Sequence, residues 1–270
     1  VPDFRVAELR NAVERLEGDL CISRPKARLS WGIEFPFDPD FVTYVWFDAL
    51  VNYISFAPAY DPTAAILPDE FRSWWRGIVH VIGKDILIPA HGVYWPVMLK
   101  AIGFSDDEIP PLLVHGWWNI AGAKMSKSLG NTVDPKELAT KYGAGALRYY
   151  LMSDIATGRD ADFSEERLIQ RYNTDLANSL GNLLNRTLNM ASKYRDSRIT
   201  APVAASQSFE GAGGPVQLGD LRRTFADAVA PTTAHMDGAE VNNALLDAAR
   251  LATSCNQLVD NAAPWKLAKD

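Results

Sequence analysis

The chain contains 270 residues, of which 47% are hydrophobic and 22% are charged, and its formal net charge is −6. This balance is typical of a globular protein with a sizeable core, and it excludes a disordered tail, a collagen-like rod and a coiled coil. No apolar run reaches the roughly 18 residues that a membrane span needs. The negative charge excludes a uniformly basic nucleic-acid-binding surface, although it is compatible with a local basic groove.

The first 155 residues alternate between helix-like and strand-like patterns. Apolar residues at helical spacing predict a helix over 6–16, and β-branched and aromatic residues predict buried strands at 42–47, 78–82 and 112–115. Asp48 is predicted to cap the helix that follows the first of these strands. Strands separated by helices favour a parallel sheet, whose ligands bind at the carboxyl ends of the strands.

From Ser164 onward the pattern changes to that of long helices. Ser164 is predicted to be the N-cap of a helix, because Glu165 and Glu166 place negative charge in its first turn. Residues 201–219, rich in Ala, Pro, Ser and Gly, predict a loose loop, and a later helix is expected at about 241–259. The apolar stripe of the first long helix is predicted to consist of Leu176, Leu180, Leu183, Leu184 and Leu188.

The sharpest motif is a basic loop, Lys-Met-Ser-Lys-Ser, at residues 124–128, preceded by Gly122 and followed by Gly130. Two lysines on a loop of small residues form a mobile pair of point charges suited to a polyphosphate. The hydroxyls of Ser126 and Ser128 add hydrogen-bond donors, and Gly130 lets the backbone approach a ligand closely. A lone pair of lysines would indicate only an exposed polar loop, but the complete pentapeptide soon after a strand favours phosphate binding.

This pentapeptide is the signature sequence of class I aminoacyl-tRNA synthetases, and the sequence from about Gly18 to Lys269 resembles the methionyl-tRNA synthetases of that class. Several further landmarks occur in the order found in this family. They are Ile22-Ser23-Arg24, Tyr44–Ala49, Ile82–Ile86, Tyr94-Trp95-Pro96, Val114-His115-Gly116, Ala146–Tyr150 and Ala263-Pro264-Trp265. Separate motifs in the right order are far more specific than any one of them.

The resemblance implies an α/β fold, the second half of a Rossmann-type catalytic domain, followed by an all-α helical bundle that binds the anticodon. Residues 1–115 would form the end of the connective region and the catalytic half-domain. Residues 116–163 would form the segment that contacts the tRNA stem and carries the basic loop, and residues 164–270 a truncated anticodon-binding domain. A cytoplasmic protein is expected, with no membrane partner.

The resemblance also implies a two-step ligase. The carboxylate of methionine attacks the α-phosphate of ATP, with Mg²⁺ assisting, and a ribose hydroxyl at the 3′ end of tRNA(Met) then takes the methionyl group. Such chemistry needs mainly positioning and charge neutralisation. By resemblance the catalytic residues are Lys84, Asp85, Lys124 and Lys127. The implied ATP-binding residues are Arg24, Gly83, His115, Gly116, Lys124, Met125, Ser126, Lys127 and Ser128.

A stripe at helical spacing follows the first predicted strand, and its members are Trp46, Ala49, Leu50 and Tyr53. For an isolated stripe, the core face of a helix is the better interpretation. A thioether nevertheless packs well on aromatic rings, and by resemblance the stripe and His91 line a methionine pocket. The segment between Asp85 and His91 departs from the family pattern, because it is one residue longer.

Asn178, Asn182 and Arg186 lie at i, i+4 and i+8 on the first long helix, and therefore on one face. Asn costs roughly half a kcal/mol against Ala inside a helix, so some of these amides are expected to have partners. Amides and guanidinium groups read base edges, and Trp265 offers a face for stacking. The resemblance implies that these four residues read the anticodon. Pro264 is predicted to start the helix that carries Trp265.

Other polar residues carry weaker signals. His80 and His235 are interpreted as structural histidines. A cluster of acidic residues is interpreted as helix-start charge and not as a metal site, and it consists of Asp160, Asp162, Glu165 and Glu166. No zinc site is predicted in this segment.

The four histidines form no His-x-x-His pair of the kind that contacts ATP phosphates in complete members of the family. Residues 1–270 alone are therefore expected to be inactive. Two alternatives to a methionine ligase stay open: a non-catalytic tRNA-binding paralogue, and a ligase of the same class for cysteine, valine or leucine. Lys84 and Asp85 argue against the first alternative. Trp46, Tyr53 and Trp265 together favour methionine over the second.

Overall fold

The computed structural model of the chain describes residues 3–64, 67–126, 128, 130–198 and 207–268. The chain divides into two compact units, Val1–Gly116 and Trp117–Asp270, termed the first and the second unit. Within the described ranges, no helix is both long and apolar enough to span a bilayer.

The first unit combines short sheets with helices. Its helices are α1 (Asp3–Glu14), α2 (Val45–Ser55), α3 (Asp69–Trp75) and α4 (Trp95–Ala101), with π-helical residues Leu87–Tyr94 before α4 and 3₁₀ turns at Lys84–Ile86 and Asp106–Glu108. Its strands are β1 (Ser23–Pro25), β2 (Glu34–Phe35), β3 (Asp38–Thr43), β4 (His80–Gly83) and β5 (Leu112–His115). β3 is the centre of an antiparallel sheet in which β1 and β2 are the flanking strands.

β4 and β5 form a parallel pair, as the alternation of strands and helices predicts, but β3, which was expected in the same parallel sheet, lies in the antiparallel one. Their register places His80 beside Leu112 and Gly83 beside His115. The carboxyl ends of both strands therefore meet at one edge of the pair. Apolar residues of the pair and of the π-helical segment form a small buried cluster of Ile82, Leu87, Leu112 and Val114.

The main core of the first unit is rich in aromatic rings and is built largely from α2, α3 and α4. Its large buried members are Leu50, Ile54, Phe71, Trp75, Trp95, Leu99 and Phe104. The rings of Phe71 and Trp75 stack with their centroids 5.5 Å apart, and the Trp75 indole N–H donates to the Glu108 carbonyl at 2.8 Å. This core positions α2, which carries the predicted pocket stripe.

The boundary between β3 and α2 differs from the sequence prediction. The predicted strand 42–47 is a strand only as far as Thr43, because α2 begins at Val45. Asp48 lies in the first turn of this helix and does not cap it. The helical conformation lets Trp46 pack against the aromatic core. This tertiary contact outweighs the preference of Val, Trp and Phe for strands.

The second unit is mainly helical. Its helices are α5 (Pro135–Tyr142), α6 (Ala144–Ser153), α7 (Glu165–Arg171), α8 (Asn182–Arg195), α9 (Leu218–Asp237), α10 (Val241–Ala262) and α11 (Pro264–Leu267), with π-helical residues Tyr172–Gly181 joining α7 to α8. Its strands are β6 (Trp118–Ile120), β7 (Ala123–Lys124), β8 (Ala161–Asp162), β9 (Ser208–Gly211) and β10 (Gly214–Gln217). β6 pairs antiparallel with β7 and parallel with β8.

Helix α7 begins where the sequence predicts. The Ser164 hydroxyl accepts the backbone N–H of Arg167 at 3.3 Å, which confirms Ser164 as the N-cap. The backbone N–H of Ser164 in turn donates to the hydroxyl of Tyr150 at 3.1 Å. Tyr150 belongs to a buried cluster with Leu138, Leu147 and Leu168. The cap therefore joins α7 to a local core.

The leucine stripe of the long helix is only partly buried. Leu176 and Leu183 are half-buried, whereas Leu180, Leu184 and Leu188 are 55–59% exposed. The π-helical segment before α8 takes more residues per turn than an α-helix does. The predicted stripe is divided, because its half-buried leucines lie seven residues apart whereas its exposed leucines recur at every fourth residue.

Residues 201–219, predicted as a loose loop, contain the hairpin of β9 and β10. Residues 201–206 of this stretch lie outside the described residues. The hairpin packs on the end of α10, where the Gly213 N–H donates to the Asn261 carbonyl at 3.0 Å. A Cβ on Gly211 would lie 2.4 Å from that carbonyl oxygen, so the close approach requires glycine. The glycines that suggested a loop thus allow a strand to contact a helix.

Candidate functional site

The carboxyl ends of β4 and β5 bring polar residues together in the first unit. A Cβ on Gly83 would lie 2.7 Å from Asp85 Oδ1 and 3.7 Å from His115 Cε1. Gly83 therefore leaves space that Asp85 and His115 border, and any side chain there would displace the carboxylate. Lys84 opens the 3₁₀ turn, and His115 Nδ1 lies 2.9 Å from the carbonyl oxygen of Gly116. The parallel pairing thus gathers the predicted residues of both strand ends.

Arg24 lies on β1, in the antiparallel sheet of the first unit. Its guanidinium donates to the Ser23 carbonyl at 2.8 Å and lies 4.0 Å from the ring centroid of Tyr44. The aromatic face attracts the cation and holds it in one orientation. Arg24 therefore has a defined position before any ligand is considered.

The predicted pocket residues converge around His91 in the first unit. Tyr53 Oη lies 2.8 Å from His91 Nε2, and the Trp46 and His91 rings meet edge to face with their centroids 5.9 Å apart. His91 Nδ1 lies 2.9 Å from the Ile86 carbonyl oxygen, which can only accept. In neutral His91 this contact leaves Nε2 as the acceptor of the Tyr53 hydroxyl proton. Leu50 is buried beside them and Ala49 is half-buried.

The winding of the backbone changes between Asp85 and His91, the segment that the resemblance predicts to be one residue longer than the family pattern. Residues Leu87–Tyr94 are π-helical, with the non-helical backbone of Ile88 inside them. The chain is therefore kinked at Ile88, between Asp85 and His91. His91 is only 2% exposed and contacts Tyr53 in spite of the different spacing.

His80 is part of the same aromatic cluster, although the sequence indicated only a structural role for it. The Trp95 indole N–H donates to His80 Nε2 at 3.0 Å, and the Tyr53 ring centroid is 4.2 Å from that of His80. Burial lowers the pKa of His80 to about 4, and the neighbouring His91 acts in the same direction. His80 is therefore neutral at pH 7 and supports Tyr53 from one side. His80 begins β4, and the other end of this strand carries Gly83 of the candidate site. This position was the sequence signal that could have indicated a role for His80 beside the site.

The basic loop of the second unit has an internal hydrogen-bond framework. The Asn131 side chain bridges it, because its Oδ1 accepts the Ser126 N–H at 2.8 Å and its Nδ2 donates to the Lys124 carbonyl at 3.2 Å. The hydroxyl oxygens of Ser126 and Ser128 are 2.7 Å apart. Lys124 is exposed, and its Nζ lies 4.1 Å from the ring centroid of Trp117. The first lysine of the motif thus has a defined resting position.

The exposure of the loop residues varies along the motif. Met125 and Ser126 are half-buried, whereas Lys124 and Ser128 are exposed. Lys127 lies outside the described residues. Gly130 has φ +66°, a left-handed conformation that glycine adopts without strain, and it closes the loop.

The long helix and α10 form an open cleft in the second unit. Asn178, Asn182 and Arg186 line it from one side, and Asn256 and Asp260 from the other. Arg186 donates to Asp260 at 2.6 Å. Asn256 and Asp260 were missed in the sequence, although their spacing of four places them on one face of α10.

Trp265 lies beside this cleft. Pro264 is the first residue of α11, as predicted, and Trp265 follows it. The Arg186 guanidinium carbon is 5.3 Å from the Trp265 ring centroid, within the range of a cation–π contact. The structure therefore brings Asn178, Asn182, Arg186 and Trp265 to one surface of the second unit.

The acidic residues near α7 have partners within the protein. Asp160 accepts the Trp117 N–H and Asp162 accepts the Gly122 N–H, both at 2.9 Å. Glu165 accepts from Lys141 at 2.8 Å and from the Tyr142 hydroxyl at 2.6 Å, and these two bonds lower the pKa of its carboxyl group. Asp160 and Asp162 therefore bond the backbone beside β6 and do not belong to the start of α7. Among the residues that the structure describes, no group of three or more His, Cys, Asp or Glu could hold a metal ion.

Comparison with known proteins supplies independent information. The family model described as tRNA synthetases class I (M) matches residues 6–188. The methionine–tRNA ligase of Caldanaerobacter subterraneus subsp. tengcongensis is 40% identical over 269 residues, which cover 100% of this chain and 39% of that protein. The ligase of Thermosynechococcus vestitus is 41% identical, with 98% of this chain and 47% of that protein covered.

Solved structures agree with these relatives. The crystal structure of Mycobacterium tuberculosis methionyl-tRNA synthetase bound by methionyl-adenylate has a TM-score of 0.84 and 35% identity, and the match covers 100% of this chain and 50% of that chain. The chain thus spans about two fifths to one half of the length of these relatives. The resemblance seen in the sequence is confirmed by a family match over more than half of the chain. This chain belongs to the class I tRNA synthetases of the methionine type.

Proposed function

We propose that the full-length protein is a methionine–tRNA ligase. The observation that carries this proposal is the match of the entire chain, at about 40% identity, to ligases of this specificity. In the proposed reaction a methionine carboxylate oxygen bonds to the α-phosphorus of ATP, the bond to the β-phosphate breaks, and pyrophosphate leaves. A terminal ribose hydroxyl of tRNA(Met) then attacks the methionyl carbonyl carbon, and AMP leaves.

The aromatic cluster of the first unit supports methionine as the amino acid. A thioether is polarizable and packs well against ring edges. Trp46, Tyr53 and His91 present such edges, and Leu50 and Ala49 supply apolar surface on the same helix. Because Nε2 of neutral His91 accepts from Tyr53, the tyrosine hydroxyl is oriented and its oxygen remains able to accept another bond. We assign these five residues to the methionine side chain.

The strand ends of the first unit and the basic loop of the second unit are assigned to ATP. In the first unit, Asp85 suits the substrate ammonium group, and Lys84 and Arg24 suit phosphate oxygens. Gly83, His115 and Gly116, at the ends of the two parallel strands, are assigned to ATP as well. In the second unit, Lys124 and Lys127 are proposed to neutralise the charge that develops on the leaving pyrophosphate, with Mg²⁺ arriving together with ATP. Met125, Ser126 and Ser128 complete the loop.

The domain boundaries of the proposal are those implied by the resemblance. Residues 1–115 would serve amino-acid activation, 116–163 would carry the basic loop against the tRNA stem, and 164–270 would bind the anticodon. The helices α8 and α10 and their polar cleft support the last assignment, because amides and guanidinium groups read unstacked bases. Such an enzyme would act in the cytoplasm.

Methionine-dependent exchange of labelled pyrophosphate into ATP, measured with the full-length protein, tests the proposed function. We expect exchange with methionine and a background rate with cysteine, valine or leucine. Exchange that depends on one of those three amino acids would assign the protein to another ligase of this class. tRNA binding with no exchange for any amino acid would identify a non-catalytic paralogue.

Replacement of Trp265 by alanine is expected to raise the KM for tRNA(Met) by about tenfold while pyrophosphate exchange stays nearly unchanged. A base stacked on an aromatic ring contributes roughly 1–3 kcal/mol, and activation of methionine needs no tRNA. Phe225→Ala is the matched control, because Phe225 is an exposed aromatic residue of the same unit, 48% exposed on α9. If Trp265→Ala slowed pyrophosphate exchange as much as tRNA aminoacylation, Trp265 would instead be a packing residue of the helical bundle.

A further inference from the structure

Two carboxylates hold the ends of the strand that leads into the basic loop. Asp160 accepts the N–H of Trp117, just before β6, and Asp162 accepts the N–H of Gly122, just after it. Both donor–acceptor distances are 2.9 Å. Hydrogen bonds from a backbone N–H to an ionised carboxylate are stronger than those between neutral groups. The two ends of β6 are therefore fixed by side chains from a segment forty residues later in the chain.

The backbone of β8 explains how both carboxylates reach their donors. β8 runs parallel to β6, with Ala161 beside Trp118 and Asp162 beside Asn119. Two backbone hydrogen bonds join the two strands. The Ala161 N–H donates to the Trp117 carbonyl at 3.0 Å, and the Phe163 N–H donates to the Asn119 carbonyl at 2.7 Å. Asp160 and Asp162 are two residues apart, so an extended backbone places them on the same face.

Each of these two hydrogen bonds fixes the backbone of a residue that is a neighbour of Lys124, either in space or in sequence. On one side, Asp160 fixes the backbone of Trp117, whose ring lies 4.1 Å from Lys124 Nζ. On the other side, Asp162 fixes Gly122, which has φ +77° in the turn that leads into β7. β7 contains Lys124, which lies opposite Asn119 on β6. The position of Lys124 therefore depends on the hydrogen bonds at both ends of β6.

We propose that Asp160 and Asp162 are positioning residues for the basic loop, acting on Lys124 through the backbone of Trp117 and Gly122. This inference rests on the proposed function, in which Lys124 neutralises charge on pyrophosphate. The proposed role of Asp160 and Asp162 is therefore neither metal binding nor stabilisation of a helix start. A misplacement of a catalytic group by about 1 Å can slow a reaction on the order of a hundredfold, so loss of one anchor matters even far from the substrate.

The test compares Asp162→Ala with Asp162→Asn in the full-length protein. For Asp162→Ala we expect kcat for pyrophosphate exchange to fall about tenfold or more, with the KM for methionine unchanged. The asparagine carbonyl can still accept the Gly122 N–H, so Asp162→Asn should recover most of the lost rate. Glu166→Ala is the matched control, because Glu166 is an exposed acid four residues away on α7. Its rate should equal that of the wild type.

Hydrogen–deuterium exchange provides a readout that does not depend on activity. In Asp162→Ala the amides of 118–125 should exchange faster, whereas those of 241–262 should keep their wild-type protection. Unchanged protection at 118–125, or a faster loop with wild-type kcat, would overturn the inference alone. Equal losses in Glu166→Ala would also overturn it. A wild-type protein that does not exchange pyrophosphate with methionine would instead overturn the proposed function, and the inference with it.

Discussion

Replacing Lys127 by alanine in the full-length protein is expected to slow methionine-dependent pyrophosphate exchange about a hundredfold or more. A lysine that neutralises a charge appearing only in the transition state stabilises the transition state more than the ground state. Loss of one such contact costs roughly 3 kcal/mol of transition-state stabilisation. Methionine affinity should change little, because the proposed methionine pocket consists of other residues. The effect should therefore appear in kcat.

Single-turnover exchange kinetics and equilibrium binding of methionine measure the two quantities separately. Lys136→Ala is the matched control: it removes an equal charge from the first turn of α5, nine residues beyond Lys127. Wild-type kinetics are expected for the control. A Lys127→Ala variant with an unchanged single-turnover rate would contradict the assigned role of the loop. A variant with weaker methionine binding and normal chemistry would do so as well.

Acidification is expected to destabilise the first unit through His80. The pKa of its ring is lowered to about 4 from an ordinary value of 6.5, because the ring is buried beside Trp95 and Tyr53. Between those two pH values the unfolded chain binds a proton that the folded protein does not. The stability that neutral His80 provides is therefore complete above pH 6.5 and is lost as the pH falls toward 4. The loss amounts to up to about 3 kcal/mol of the free energy of unfolding.

Urea unfolding of the wild type and of His80→Gln at pH 7, 5.5 and 4.5 measures this loss. Glutamine does not titrate, and its carbonyl can accept the Trp95 indole N–H. Carboxyl groups elsewhere titrate in both proteins, so the difference between the two pH profiles reports on His80. We expect the wild type to lose more stability than the variant on acidification. Identical pH profiles would show that His80 is protonated without cost.

Local signals predicted the elements whose ends depend on nearby residues. Ser164 caps α7 through its own hydroxyl, and Pro264 starts α11 because its fixed φ suits a first helical residue. The strand at 112–115 was predicted with its observed bounds, since its apolar run is short and ends at a glycine. At the two helix starts, the determining feature lies within a few residues of the position predicted.

Long-range contacts decided the elements that were predicted wrongly or incompletely. The segment at Val45 is helical because packing in the aromatic core favours a helix there, against the local preference for a strand. The hairpin at 208–217 exists because its glycines approach Asn261, some fifty residues later. Nothing in the composition of the two π-helical segments predicts their winding.

The candidate site shows the same division. The sequence by itself determined which chemistry is present, because the basic loop, the Trp46–Tyr53 stripe and the polar face at Asn182 are patterns of side chains along the chain. Only the tertiary structure decided how His91 meets Tyr53, how Asp260 pairs with Arg186 and how two carboxylates anchor the loop. Those contacts join residues 38 to 74 positions apart. Hydrogen bonds at such separations depend on packing of the whole chain, and local spacing carries no record of them.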